Sequence, residues 1–428
     1  MAIKVLMFGW EFPPHISGGL GTACYGLTKG LAINGVNVTF VMPKASGDED
    51  TSYVKIVNGS DVEVDLQSSD FFQRTGQTSY IQVNSKLIPY VGLDDYYNVI
   101  NQIESGVFEK STSEKRKYIF SGKYGPNLMQ EVNQYANIAA EIAKNEDFDL
   151  IHAHDWLTYR AGIAAKRASG KPLVVHIHAT EFDRSGENYN DIVYGMEKEG
   201  MMAADAVCAV SDLTRNIVIN KYGINPDKVV TVHNAVDFSG RENLQVDRGV
   251  RDKVVTFLGR ITFQKGPEYF IEAAAKVLKR TKNVRFVMAG SGDMMNRAIR
   301  QVARLGISDR FHFTGFLRGQ EVQKMFALSD VYIMPSVSEP FGISPLEAMR
   351  SNVPSILSHQ SGAAEVLKYA LKVDFWDVDA MADDIYALLQ YPALSDFANR
   401  QGFDEVNALK WNNATLKLKK VYESVVNS

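Results

Sequence analysis

The chain has 428 residues, of which 45% are apolar and 22% charged, and its formal net charge is −4. That length supports two to three domains with cores of their own, and the near-balanced charge excludes a basic stripe for nucleic acid or for an anionic membrane. Two cysteines, Cys24 and Cys208, are too few for a disulfide framework or a cysteine zinc site, and no apolar run reaches membrane-spanning length. The expectation is a cytoplasmic protein whose first residues form a strand, with peripheral membrane contact left open.

In chain order, residues 3–9 read as a buried strand. A loop from Trp10 to Gly21, a helix over 22–34 stopped by Gly35, and a strand over 38–42 complete a βαβ unit. Ser17-Gly18-Gly19-Leu20-Gly21 stands between strand and helix, where a phosphate-approaching loop sits. It lacks the G-x-G-x-x-G spacing, so on its own it reads equally as a tight turn. From 43 to 125 the periodicity dissolves into polar, aromatic-rich sequence, and an irregular interval of that length inside a domain is usually functional.

Helical spacing returns over 126–145. Strands over 148–153 and 173–177 then run into His154-Asp155-Trp156 and His178, with a helix over 159–168 between them. His152 and His154 alternate on one strand face, as do His176 and His178. No third ligand type stands at usable spacing, so these histidines read as hydrogen-bonded structural groups or substrate contacts, and no metal site is assigned. A strand over 206–210, a helix over 212–222 and a strand over 229–232 reach His233-Asn234-Ala235-Val236-Asp237. Residues 238–252 are charged and poor in apolar side chains, which marks a linker between a domain over 1–237 and a second over 253–410.

The alternation then repeats. Strands over 254–258, 284–289, 311–313 and 331–334 alternate with helices over 266–280, 294–305 and 320–327. The fold class is therefore α/β, two doubly wound, Rossmann-like parallel sheets with ligands expected above the strand ends, in the crevice between domains. Asp377-Val378-Asp379 precedes a helix over 380–389, with Asp379 expected as its N-cap. A helix over 411–428 closes the chain.

The most informative stretch runs from Tyr332 to Arg350, YIMPSVSEPFGISPLEAMR. A strand ends at Pro335, Glu339 stands on a loop, Gly342 permits close backbone approach, and Ser344-Pro345 with Glu347 has the spacing of a capping box. Either carboxylate alone reads as a solvated or capping group. Gly259-Arg260-Ile261-Thr262-Phe263-Gln264-Lys265-Gly266 supplies two cations after a strand, each alone an ordinary surface charge.

Together, the spacing from Glu339 to Glu347 and the Arg260/Lys265 pair resemble the signatures of retaining, nucleotide-sugar-dependent glycosyltransferases of the GT-B architecture, family four. The resemblance spans nearly the whole chain. It implies that Arg260 and Lys265 hold the donor diphosphate, that Glu339 lies by the sugar hydroxyls and that Glu347 bonds the ribose. It places the amides around Gly342, Ile343 and Ser344, together with Gly18 and Gly19, at the diphosphate. Gly290 and Gly292 fall near the donor, Gly315 and Phe316 beside the base, and His178 against the transferred sugar.

Trp10-Glu11-Phe12-Pro13-Pro14, His152-Ala153-His154-Asp155-Trp156 and Tyr124-Gly125-Pro126-Asn127 look like the branch near glycogen and starch synthases. That branch implies transfer of a hexose, glucose above all, to an oligo- or polysaccharide, without a cofactor or a metal ion. It also implies a terminal helix that packs back on the first domain. Acceptor-side candidates are His154, Asp155, Trp156, Tyr96 and Tyr97. Bacterial ADP-glucose users carry K-T-G-G-L where this chain has Ile16-Ser17-Gly18-Gly19-Leu20, so UDP-glucose stands at least level with ADP-glucose as donor. Retention could pass through Glu339 or through a front-face route in which the departing phosphate takes the acceptor proton. Alternatives are a glucosyl- or mannosyltransferase of surface polysaccharide or of a small glycoside, a UDP-sugar epimerase, or a sugar-nucleotide-binding protein.

Overall fold

The computed structural model describes residues 2–15, 19–65, 115–236, 246, 249 and 251–427. Gly18, Tyr96, Tyr97 and most of the proposed linker over 238–252 lie outside the described residues.

The first half contains strands β1 (Lys4–Phe8), β2 (Asn37–Met42), β3 (Lys55–Asn58), β4 (Glu63–Asp65), β5 (Lys115–Lys117), β6 (Leu150–His154), β7 (Leu173–Ile177), β8 (Ala206–Ala209) and β9 (Val229–Thr231). Its helices are α1 (Gly19–Ile33), α2 (Leu128–Asn145), α3 (Trp156–Ser169), α4 (Glu181–Ser185), α5 (Asp191–Ala203) and α6 (Asp212–Tyr222). Seven strands form one parallel sheet in the order β3-β2-β1-β6-β7-β8-β9, while β4 and β5 pair antiparallel. Strands β6, β7 and β8 are buried along their whole length, as strands covered by helices on both faces must be.

The second half begins with β10 (Lys253–Leu258) and continues with α7 (Pro267–Arg280), β11 (Val284–Ala289), α8 (Met295–Arg304), β12 (Phe311–Gly315), α9 (Gln320–Leu328) and β13 (Val331–Met334). Then follow α10 (Ser344–Arg350), β14 (Ser355–Ser358), α11 (Ala363–Val366), β15 (Leu371–Val373), α12 (Val378–Gln390) and α13 (Pro392–Ala408). Its parallel sheet has the order β12-β11-β10-β13-β14-β15. The twin doubly wound sheets expected from the alternation are thus present. The strand order reverses between β1 and β6 in one sheet and between β10 and β13 in the other, which puts the ligand crevice beyond those strand ends.

Two local expectations are corrected, and one helix is present that the sequence reading does not include. Helix α1 starts at Gly19, so Gly19-Leu20-Gly21 belong to the first turn of the helix rather than to a loop before it. The N-cap of α12 is Asp377, whose carboxylate accepts from the Ala380 N–H at 2.9 Å, while Asp379 lies inside the first turn and pairs with Lys276. Helix α13 has no clear apolar period, and tertiary contact supports it instead. A Cβ at Gly402 would stand 2.6 Å from Met349 Cε, and the Arg350 guanidinium lies 4.6 Å from the centre of the Phe403 ring.

The last helix, α14 (Trp411–Val426), crosses to the first half and packs along α1. Gly26 and Gly30 make the approach possible: a Cβ at Gly26 would fall 2.1 Å from the Trp411 indole, and one at Gly30 would fall 2.7 Å from Thr415 Oγ1. Asn34 Nδ2 donates to Asn412 O at 3.0 Å, and the Tyr422 hydroxyl lies 2.7 Å from His152 Nδ1 beneath the sheet.

Candidate functional site

Between the two sheets lies a cleft of about 690 Å³, lined from both halves. Its lining residues sit just past the C-terminal ends of strands: Asp155 after β6, His178 after β7, Gly259 and Arg260 after β10, Gly290 after β11, and the loop from Glu339 to Ile343 after β13. That is the place where parallel strands present loops and helix starts to a ligand.

Gly342 lets the loop double back, with φ of +89° and a would-be Cβ 3.0 Å from Met334 Sδ and 3.1 Å from Glu339 Cγ. The expected capping box is not formed. Ser344 is already helical, and its hydroxyl lies 2.8 Å from the hydroxyl of Tyr332. The physical reason is burial: the Tyr332 phenol is fully enclosed and takes the Ser344 hydroxyl as a hydrogen-bond partner. Among the described residues no side chain caps the helix at Ile343, and the first turn of α10 lines the cleft.

Lys265 Nζ forms a close ion pair with Glu339 Oε2, with the two side chains 18% and 9% exposed. Ser336 Oγ stands 3.4 Å from the same oxygen. Arg260 Nη2 donates to Gln264 Oε1 at 2.9 Å, and Gln264 in turn accepts the Val337 N–H through its carbonyl at 2.9 Å, which ties the cation loop to the carboxylate loop. Gly266, with φ of +63°, brings this turn against Pro335, where a Cβ would lie 2.1 Å from the carbonyl oxygen. Glu347, Arg350 and the half-exposed ring of Phe316 complete this wall.

The opposite wall is built on β6 and β7. Asp155 is 6% exposed, holds a left-handed backbone with φ of +58°, and accepts the His178 N–H at 2.7 Å. Burial pushes its carboxyl up to about 7. The same enclosure pushes the His178 imidazole down to about 3, so it is neutral at physiological pH. His178 Nε2 lies 2.9 Å from His154 Nδ1.

Below them, His152, His154 and His176 bring ring nitrogens within 4.8 Å of one another. Their ring planes are tilted 22° to 44° from one another, with ring centres 4.2 to 5.4 Å apart. Burial holds all three well below the usual imidazole range.

Of the residues singled out from sequence, Gly19, Asp155, His178, Arg260, Lys265, Gly290, Phe316, Glu339, Gly342, Ile343, Ser344 and Glu347 share this cleft. Gly292 and Gly315 do not line the cleft: Gly292 is exposed, and a Cβ there would fall 2.3 Å from Ile261 O, so its lack of a side chain serves backbone packing. His154 and Trp156 are buried under the wall, Trp156 within the core. Tyr118 and Tyr124, at the end of the aromatic-rich interval, are also core residues, 8% and 5% exposed, and present no free face to a sugar.

Sequence reasoning missed Glu11, Asn234 and Arg350. Glu11 is 4% exposed and its Oε1 accepts the Gly21 N–H at 3.2 Å, so a carboxylate of the chain itself already occupies part of the α1 N-terminus. Arg350, one turn after Glu347, carried a signal in its helical spacing. Asn234 carried none, because its entry into the cleft depends on where β9 ends relative to the second sheet.

Two family models match consecutive parts of the chain: Glycosyltransferase Family 4 over residues 110–239 and Glycosyl transferases group 1 over residues 241–402. An uncharacterized glycosyltransferase of Methanocaldococcus jannaschii is 28% identical over 98% of both chains. A glycogen synthase of Mycobacterium tuberculosis is 21% identical over 98% of this chain and 94% of its own. Among solved structures, sucrose-phosphate synthase of Thermosynechococcus elongatus superposes with a TM-score of 0.70 at 17% identity, covering 99% of each chain. With twin doubly wound sheets, a cleft between them and these matches across both halves, the chain belongs to the glycosyltransferases of GT-B architecture, family-four type.

Proposed function

We propose that the chain transfers glucose from UDP-glucose or ADP-glucose to a hydroxyl of an α-glucan, with retention and without a catalytic metal ion. The observation that carries this reading is the meeting of Lys265, Arg260 and Glu339 from one half with His178 from the other in a single cleft. Departure of a nucleoside diphosphate builds negative charge on the bridging oxygen. Two fixed cations and the open first turn of α10 are the kind of preorganised charge that offsets it.

On this reading Arg260, Lys265, Gly19 and the amides of Gly342, Ile343 and Ser344 surround the diphosphate, and Glu347 holds the ribose. Gly290 and Gly292 lie near the donor, and Gly315 and Phe316 flank the base. Donor entry draws Lys265 toward phosphate and frees Glu339 for the sugar, where its carboxylate stabilises positive charge developing at the anomeric carbon. The anomeric C–O bond to phosphate breaks, a bond to the acceptor oxygen forms, and the acceptor proton leaves with the diphosphate. Neutral His178 offers the sugar a hydrogen bond rather than a proton. Asp155 faces the acceptor side, with His154 and Trp156 beneath it, and Tyr96 and Tyr97 are further residues proposed to meet the acceptor. The full-length similarity to a glycogen synthase supports an α-glucan as acceptor.

A donor panel read by thermal shift tests the first step, because binding raises the melting temperature with the logarithm of saturation. Transfer to glycogen or maltooligosaccharide, with and without EDTA, tests the second. Transfer only to a lipid or a monosaccharide would replace this reading with surface-glycan or small-glycoside synthesis. Donor turnover that needs no acceptor would indicate an epimerase.

A further inference from the structure

Glu365 belongs to α11 in the second half, yet its carboxylate is bound to the first. Oε2 accepts the Asp212 N–H at 2.8 Å, Oε1 accepts the Leu213 N–H at 2.7 Å, and His233 Nε2 lies 2.8 Å from Oε2. Those amides open helix α6, whose own N-cap, Ser211, accepts the Thr214 N–H at 3.0 Å and leaves the Asp212 and Leu213 amides to Glu365. The α6 N-terminus is therefore completed by a carboxylate from across the cleft, on the end of the helix where negative charge is favoured. One turn before Glu365, a Cβ at Gly362 would lie 2.5 Å from Ser211 Cβ, so glycine is what lets the two halves touch here.

The same segment is tied to the catalytic loop. The Glu339 N–H donates to Gln360 O at 2.9 Å, the Gly362 N–H to Glu339 O at 2.9 Å, and the Ala363 N–H to Phe341 O at 2.7 Å. On the other side of Glu339, the Ser338 hydroxyl donates to Asp183 Oδ1 at 2.5 Å. Asp183 closes a capping box with Thr180, two residues past His178. The loop that carries Glu339 is thus fastened to the first half at both ends, by Ser338 toward His178 and by Glu365 toward α6.

We propose that Glu365 and Ser338 are positioning residues that hold the two halves closed, so that Glu339 and Lys265 face His178. The inference rests on reading the cleft as the site of transfer. Opening the cleft replaces three charge-assisted contacts of Glu365 with contacts to water. Their loss shifts the closed-to-open ratio by about one to two orders of magnitude, as hydrogen bonds to a charged group typically do.

The test uses the full chain with Met202→Cys and Tyr391→Cys, one exposed site in each half, carrying spin labels; Cys24 and Cys208 are fully buried and stay unlabelled. Without any ligand, Glu365→Ala and Ser338→Ala should each broaden the interdomain distance distribution toward longer separations. In the unlabelled enzyme each should lower kcat about tenfold. Glu365→Gln should recover part of both effects, since its amide oxygen still accepts from the start of α6. Parental distances in both alanine variants would overturn the proposal, and so would a fall in kcat with distances unchanged. If Glu365→Ala does not fold, Ser338→Ala alone decides. The distances are read in ligand-free protein, so a parental enzyme that fails to use glucose donors would overturn the proposed function while leaving this result readable.

Discussion

Lys265 has two possible roles in the cleft, and a double-mutant cycle with Glu339 separates them. Lys265→Ala leaves the Glu339 carboxylate, 9% exposed, with Ser336 Oγ at 3.4 Å as its remaining side-chain partner among the described residues. Breaking a buried pair from one side costs about 3–5 kcal/mol, and the partial exposure of Lys265 brings the expectation to about 2 kcal/mol in urea unfolding. Glu339→Gln should cost less, because the freed ammonium can turn to cleft water. The double variant should be more stable than Lys265→Ala, since no buried charge is left unpaired. Steady-state kinetics carry the functional half of the cycle. If Lys265 meets the departing diphosphate, its removal lowers kcat about 10²-fold in the parental protein and again in the Glu339→Gln background, as losing one fixed electrostatic donor does. If removing Lys265 costs nothing further once Glu339 is glutamine, the lysine only holds the carboxylate in place, and its assignment to the diphosphate is refuted.

Glu347→Ala should raise the donor KM about tenfold or more with little change in kcat, while Glu339→Gln should chiefly lower kcat; equal effects on donor affinity alone would remove Glu339 from the chemistry. The Asp155 carboxyl, with a folded-state pKa of about 7, lies above its unfolded value of about 3.9, so the stability it contributes is complete below about pH 4 and is lost as pH rises through 7. Asp155→Asn removes that dependence: relative to the parent, the variant should gain up to about 4 kcal/mol between pH 4 and pH 8 in urea unfolding, and a pH-independent difference would show that the carboxyl is not held protonated. Gly290→Ala places a Cβ 1.8 Å from Gly259 O at a φ of +142° and should abolish soluble expression or lower the melting temperature sharply, whereas a melting temperature within a degree or two of the parent would contradict that close approach.

Much of the architecture is legible in the sequence itself. Strands enclosed on both faces require short continuous apolar runs, and parallel neighbours require helical crossovers, so the alternation from residue 3 onward determined two doubly wound sheets. The spacing of Glu339 and Glu347 around Pro340, Phe341 and Gly342 likewise determined that both carboxylates share one strand-loop-helix unit, because such a pattern is local. Tertiary structure alone decided that Ser344 bonds Tyr332 instead of capping its helix, and that Tyr118 and Tyr124 fill the core. It alone placed Glu11 at the start of α1 and made α13 a helix through Gly402 and Phe403. Above all, it set His178 and Asp155 across from Lys265 and Glu339, and Glu365 against α6. Those contacts join segments far apart in the chain, and they depend on how one sheet is set against the other, which no local period or spacing encodes.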